Sequence, residues 1–174
     1  SRVNDFVLKI ATVNGTGSAS ANGLLMKALF RMGIPVTGKN LFPSNIQGLP
    51  TWYEIRANRE GYMSASGRVD VMVAMNVQTY QKDLDEVSPG GVLIYDSTWP
   101  RESTLHRNDI TVLGVPLAKL CNEAFSVARI RILMKNVAYA GVLAALMDID
   151  LKIIKKLLEE TFAEKPKLVE SNLK

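Results

Sequence analysis

Two glycines set two residues apart, followed by small hydroxyl and amide residues, form the loop NGTGSASAN at positions 14–22. Such a run brings backbone N–H groups close to a bound group, because glycine accepts positive φ and adds no side chain. Positions 6–13 before it read as a strand, and positions 20–32 have the apolar spacing of an amphipathic helix. Strand, tight turn and helix N-terminus together aim unpaired N–H groups and a partial positive charge at one point. That is the chemistry of a phosphate or carboxylate site, and its candidates are Gly15, Thr16, Gly17, Ser18 and Ser20. Local charge agrees: positions 6–53 hold no Asp or Glu, yet include Lys9, Lys27, Arg31 and Lys39.

The same loop approaches a dinucleotide fingerprint, G-x-G-x-x-G, with Ser20 in place of the third glycine. A nicotinamide site would also want an acidic residue at the end of the second strand, where this chain has Lys39 and Asn40. Lys39 is thus a candidate for a phosphate, which keeps an NADP-binding enzyme domain as one alternative. A turn that merely packs a helix against its strand, in a purely structural assembly module, is another. A second singular stretch is LFPSNIQGLP at 41–50. Two prolines restrain its backbone, and Ser44, Asn45, Ile46 and Gln47 give it a polar, uncharged surface with apolar insertions. That composition suits contact with a substrate or with another protein. Asn76 and Asp96 follow strand-like runs, where ligands gather in open α/β sheets, although each is equally a capping residue. Trp99 is a stacking platform or a packing aromatic.

No catalytic constellation and no metal-ligand cluster stand out. His106 is the single histidine, in a polar stretch, and the single cysteine, Cys121, falls in an amphipathic helix. One thiol excludes an internal disulfide and an iron–sulfur cluster ligated by this chain alone.

These residues need elements to position them. Strand-like runs at 6–13, 35–37, 69–75, 92–95 and 110–115 alternate with helical spacing at 20–32, 76–87, 117–125, 130–146 and 151–162. Gly33 is suited to ending the first long helix, and Asn76 to the N-cap of the second. Residues 51–56 and 62–65 read as a β-hairpin, with 38–50 irregular between it and the short strand. The expectation is a three-layer α/β/α fold with a doubly wound, mostly parallel sheet, to which the hairpin adds antiparallel strands. Lys155/Glu159 and Lys156/Glu160 are expected as i,i+4 pairs on the wet face of the last helix.

At 174 residues, with 47% hydrophobic and 22% charged residues, the chain is one globular domain. A net charge of +4 without a dense basic cluster argues against nucleic acid as a partner. No apolar run reaches a membrane-spanning length, and with one cysteine a cytoplasmic setting follows. Residues 165–174 look like the start of a linker or helix leading to a following domain, which bounds this one at 1–164.

Taken together, VNGTGSASAN at 13–22, GKN at 38–40, FPSNIQGLPTWYEIR at 42–56 and VAMN at 73–76 closely resemble the gamma domain of 2-oxoacid:ferredoxin oxidoreductases. The chain is most similar to the version fused at the front of the alpha subunit, over essentially its whole length. The resemblance implies oxidative decarboxylation of a 2-oxoacid to an acyl-CoA, within an oligomeric complex of thiamine-binding domains or subunits that hands electrons to ferredoxin. It implies that thiamine diphosphate, Mg2+ and 4Fe-4S clusters lie outside this domain. It further implies that Gly15, Thr16, Gly17, Ser18 and Ser20 of the glycine loop lie near coenzyme A, and that Ser44, Asn45 and Ile46 face the thiamine pocket.

Overall fold

The computed structural model describes residues 5–13, 15–41, 50–58, 67–101 and 107–163, with side chains described through residue 160. β1 (Asp5–Val13) leads into α1 (Ser18–Arg31), β2 (Val36–Leu41) and β3 (Pro50–Asn58). Then come β4 (Val71–Ala74), α2 (Tyr80–Glu86), β5 (Val92–Asp96) and β6 (Thr111–Val115). Three helices close the order, α3 (Leu117–Ala124), α4 (Ala128–Leu146) and α5 (Leu151–Ala163). The six strands form one mixed sheet in the order β2-β3-β1-β4-β5-β6. β1, β4, β5 and β6 run parallel, while β3 is antiparallel to both of its neighbours.

Residues 71–74, almost continuously apolar, form a central strand because both faces of β4 are covered. Val73, Leu8, Ile10, Ile55 and Ile94 pack on one face against α1, α4 and α5, through Leu25, Leu29, Tyr139, Leu143, Ile154 and Leu157. Met72, Leu93 and Ala74 pack on the other against Tyr80 and Leu84 of α2. Helices therefore cover both faces, as the alternating pattern predicts. α1 ends as its sequence asks: Gly33 has φ 75°. The Ile34 N–H donates to Leu29 C=O at 3.1 Å, and the Gly33 N–H to Phe30 C=O at 2.9 Å. These two bonds satisfy carbonyls that the helix end would otherwise orphan.

Three local expectations change. Positions 38–41 are not irregular but belong to β2, which pairs with β3 from Val36↔Ala57 to Leu41↔Trp52. The antiparallel element is thus β2 against β3, and β1 takes the other side of β3 along its whole length. Residues 62–65, expected as the hairpin partner of 51–56, lie outside the described residues. On α5, Lys155 and Glu159 come within 4.0 Å, but Glu160 reaches across to Arg31 of α1 at 2.8 Å rather than to Lys156. A guanidinium presents a fork that matches a carboxylate better than a flexible ammonium does.

The face carrying α2 holds a buried polar network. Trp52 Nε1 donates to Asp83 Oδ1 at 2.7 Å, and the Thr79 hydroxyl donates to Oδ2 at 2.7 Å. Lys9 pairs with Glu86 beside them, and the Lys82 ammonium lies 4.4 Å from the Trp52 ring centroid. Asp83 is fully buried, and that burial raises its carboxyl above the usual range despite both hydrogen bonds. A group bound more tightly to its proton in the folded state stabilises the fold below its unfolded pKa, and loses that contribution as pH rises through the folded pKa. The stability of the natural chain relative to Asp83→Asn should therefore fall as pH climbs from about 4 and level off above the folded pKa. Urea unfolding of both proteins across this range checks it; a difference that grows with pH would mean that the fold prefers the carboxylate.

Candidate functional site

Because β1, β4, β5 and β6 are parallel, the connections leaving them emerge at one edge of the sheet. β2 runs the same way and ends there at Leu41, while Pro50, the first residue of β3, sits opposite Val13. The segment 42–49, with Ser44, Asn45, Ile46 and Gln47, lies outside the described residues. Its two ends are nevertheless anchored at the edge where the glycine loop leaves β1.

The glycine loop turns the chain from β1 into α1 within four residues. Gly15 and Gly17 have φ of 83° and 81°, a backbone region that other residues enter only with strain. Gly17 occupies the N-cap of α1, so no side chain closes that end, and no acidic residue stands in the first turn. The Ser20 N–H bonds weakly back to Gly17 C=O at 3.3 Å. Among the described residues no acceptor meets the N–H groups of Gly17, Ser18 and Ala19. A 14-residue helix whose first N–H groups meet no described acceptor is an end of the kind that can take up an anion.

The loop's side chains have other duties. Buried Ser18 accepts from the Thr12 hydroxyl at 3.0 Å, so its hydroxyl faces the interior and only its amide faces out. Thr16 donates its hydroxyl to Val13 C=O at 2.8 Å and pins the turn. Ser20 is exposed on the first turn of α1. From 120 residues away, Asn136 of α4 donates its Nδ2 to Thr16 C=O at 2.6 Å.

The α3 start at the same edge makes an instructive contrast. Its N-cap is Pro116, with no side-chain cap of its own. Asp96, at the end of β5, supplies one: Oδ2 accepts from the Ala118 N–H at 3.1 Å and Oδ1 from the Thr98 N–H at 3.1 Å. Thr98 Oγ1 accepts from the Lys119 N–H at 3.0 Å. One helix start is closed by a carboxylate; the other has no such cap among the described residues.

The family of pyruvate ferredoxin/flavodoxin oxidoreductases matches residues 7–174. The chain belongs to this family. It is 28% identical over 121 residues to the alpha subunit of 2-oxoacid:ferredoxin oxidoreductase 2 from Aeropyrum pernix, covering 70% of this chain and 18% of that one. It is 29% identical over 107 residues to ketoisovalerate oxidoreductase subunit VorA of Methanothermobacter thermautotrophicus, covering 60% and 21%. This oxidoreductase-family chain thus spans about a fifth of the length of the curated relatives it matches. Its fold is shared with the 2-oxoglutarate:ferredoxin oxidoreductase of Magnetococcus marinus, solved with 2-oxoglutarate, coenzyme A and succinyl-CoA bound. That likeness has a TM-score of 0.79 at 25% identity and covers 93% of this chain and 28% of the other. The keto/oxoacid ferredoxin oxidoreductase gamma subunit of Geobacter sulfurreducens has the same fold, with a TM-score of 0.71 at 15% identity over 89% of this chain and 85% of that one.

Set against the sequence reading, the oxidoreductase-family fold gathers Gly15, Thr16, Gly17, Ser18, Ser20, Asn76 and Asp96 at one sheet edge. It does not gather Lys39. That residue faces Glu54 across β2 and β3, and Glu54 faces Lys9 on β1. The row lies four residues short of the end of β1, roughly 13 Å along the strand, and its side chains leave on the face of α2 rather than that of α1. The other cations counted near the loop are equally remote. Lys9 pairs with Glu86, Arg31 pairs with Glu160 at the far end of α1, and Lys27 is two turns beyond the loop. The nicotinamide alternative also loses its framework, since β3 separates β2 from β1 and no ribose-reading position follows the glycine loop.

Asn76 is not a helix N-cap, because α2 begins at Tyr80 with Thr79 in that role. Its Oδ1 accepts from the Gln78 N–H at 2.9 Å, and its Nδ2 reaches Thr12 C=O at 3.5 Å, tying the ends of β1 and β4. Trp99 is 52% exposed, so it is not a packing aromatic within this chain. Cys121 is buried in α3 as a small core residue, and burial pushes its thiol up. His106 lies outside the described residues. Among those described, no three His, Cys, Asp or Glu side chains are grouped to hold a metal, and no helix is long and apolar enough to cross a membrane. Sequence reasoning missed Asn136: a lone amide in an apolar helix was its only signal.

Asp96 should behave as a cap. Asp96→Ala is expected to lower stability by about 1–2 kcal/mol, and Asp96→Asn to recover much of that loss. Chemical denaturation of the three proteins checks this; an alanine variant as stable as the natural chain contradicts it.

Proposed function

We propose that this chain is the gamma-type domain of a 2-oxoacid:ferredoxin oxidoreductase, working in the cytoplasm within a larger complex that oxidatively decarboxylates a 2-oxoacid to an acyl-CoA. In this reading the glycine loop binds a phosphate group of coenzyme A. The segment 42–49 lies over the thiamine pocket, and Ser44, Asn45, Ile46 and Gln47 contact the 2-oxoacid or keep water from it. The observation that carries the reading is the uncapped, acid-free start of α1, in a chain whose family match runs over residues 7–174. The Magnetococcus marinus relative, solved with coenzyme A and succinyl-CoA bound, supports the choice of ligand.

The residues present fit a phosphate. A Cβ on Gly17 would meet Leu133 at 3.5 Å and Asn136 at 3.9 Å, so α4 packs on the side where a side chain would stand. Outward N–H groups of Gly17, Ser18 and Ala19 can share one phosphate's oxygens, and charge-assisted bonds of this kind are stronger than neutral ones. The helix dipole adds to them where no carboxylate opposes it. Coenzyme A supplies the thiol that takes up the acyl group, and this chain's part is to hold the far end of that molecule so that the thiol arrives in register. One cysteine and one histidine in the sequence cannot furnish the ligand set of an iron–sulfur cluster. Clusters, thiamine diphosphate and Mg2+ therefore belong to partner domains or subunits in this reading, and ferredoxin is an indirect partner.

Ser20→Glu separates binding from folding. Glutamate in the first turn favours the helix dipole, so stability should hold or rise by about 0.3–1 kcal/mol. The same carboxylate repels a phosphate beside it, and the KM for coenzyme A in the complete enzyme should rise roughly three- to tenfold, with the 2-oxoacid KM unchanged. Steady-state kinetics beside thermal unfolding read both effects. A stable, assembled variant with normal coenzyme A kinetics would remove the phosphate role from this loop.

A further inference from the structure

The Gly17 amide is aimed from the opposite side of the loop. In a trans peptide the C=O of one residue and the N–H of the next point in opposite directions within a single plane. Asn136 Nδ2 holds Thr16 C=O at 2.6 Å, and that carbonyl shares its peptide plane with the Gly17 N–H. Gripping the carbonyl toward α4 therefore turns the Gly17 N–H away from α4 and out of the loop. Asn136 is itself held: it is 3% exposed, on the helix whose Tyr139 is fully buried and donates to Asn22 Oδ1 at 2.9 Å in α1. The bond is also needed, because glycine at φ 81° has no side chain to resist rotation of the peptide before it.

We infer that Asn136 is a positioning residue for coenzyme A: by fixing the Thr16–Gly17 peptide it presents the Gly17 amide to a phosphate. A second effect works in the same direction. A donor on the carbonyl polarises the peptide, which makes its N–H a stronger donor at the far end. The inference rests on the reading that the glycine loop binds coenzyme A. Four neighbouring facts distinguish the role from simple packing. Asn136 contacts the loop's backbone rather than a side chain. The loop lies 120 residues away in sequence. No acceptor among the described residues uses the N–H that the contact aims. And Tyr139, one turn along the same helix, ties α4 to Asn22 within α1 and makes no bond to the turn at Gly15–Gly17.

That last pair provides the test. Asn136→Leu removes the donor while keeping the branched outline of the side chain, and Tyr139→Phe removes a buried hydrogen bond between the same two helices. Both should lower the melting temperature of the complete enzyme by similar amounts. Only Asn136→Leu should raise the coenzyme A KM, by roughly three- to tenfold for one weakened charge-assisted contact, with kcat and the 2-oxoacid KM within twofold. Asn136→Ser, smaller and too short to reach the carbonyl, takes the place of the leucine variant if that one fails to assemble, and the same KM change is expected of it. If both Asn136→Leu and Tyr139→Phe raise the KM alike, the effect is one of stability and the inference falls. If Asn136→Leu leaves the KM unchanged while Ser20→Glu raises it, Asn136 loses its role and the loop keeps its own. If Ser20→Glu also leaves it unchanged, the reading of the loop fails and the inference fails with it.

Discussion

A helix that starts directly off the end of a central strand must reverse the chain in a few residues, and here only glycine can do it. Positive φ at Gly15 and Gly17 brings Ser18 into helical conformation with only four residues between it and Val13, the last residue of β1. The same geometry puts glycine at the N-cap, where serine, threonine or aspartate would ordinarily close the first amides. Tight turn and open helix end are thus one constraint. The rest of the structure supports it: Thr16 ties to Val13, Ser18 to Thr12, and Asn136 to the Thr16 carbonyl. All three contacts spend the loop's inward-facing groups and leave its outward N–H groups alone.

The two helix starts at this edge show how much a carboxylate changes. α3 receives Asp96 from the neighbouring strand, which satisfies its amide and neutralises its dipole, so that end is finished as a structural joint. Among the described residues, α1 receives nothing comparable. Its potential for an anion comes from backbone and dipole, since its own cations are engaged elsewhere or distant. Such a site favours a phosphate that brings its own specificity elsewhere, as a long ligand held at several points would.

Local signals were legible where local forces decide. The Gly33 stop, the near-continuous apolar runs of β4 and β5, and the bounds of α3, α4 and α5 follow from backbone preference and period. The glycine loop was legible for the same reason. What failed depended on register and on distant partners. Lys39 looked close to the loop because it is close in sequence, yet pairing with β3 carries it to the opposite face and down the strand. Counting charges over positions 6–53 could not reveal that Glu86 and Glu160 fold back onto Lys9 and Arg31. Asp96 and Asn136 are similar cases: each is a single polar residue whose task is set by an element 22 or 120 residues away.

The central claim is that the open N–H groups at the start of α1 receive a phosphate of coenzyme A. Hydrogen–deuterium exchange of the complete enzyme, with and without coenzyme A, reads those groups directly. Without coenzyme A, the amides of Gly17, Ser18 and Ala19 should exchange quickly, because nothing in the described fold accepts them. On adding coenzyme A, a peptide spanning residues 15–20 should gain protection, while one spanning Ala118, already capped by Asp96, should not change. Protection elsewhere in the enzyme with none in residues 15–20 would contradict the account.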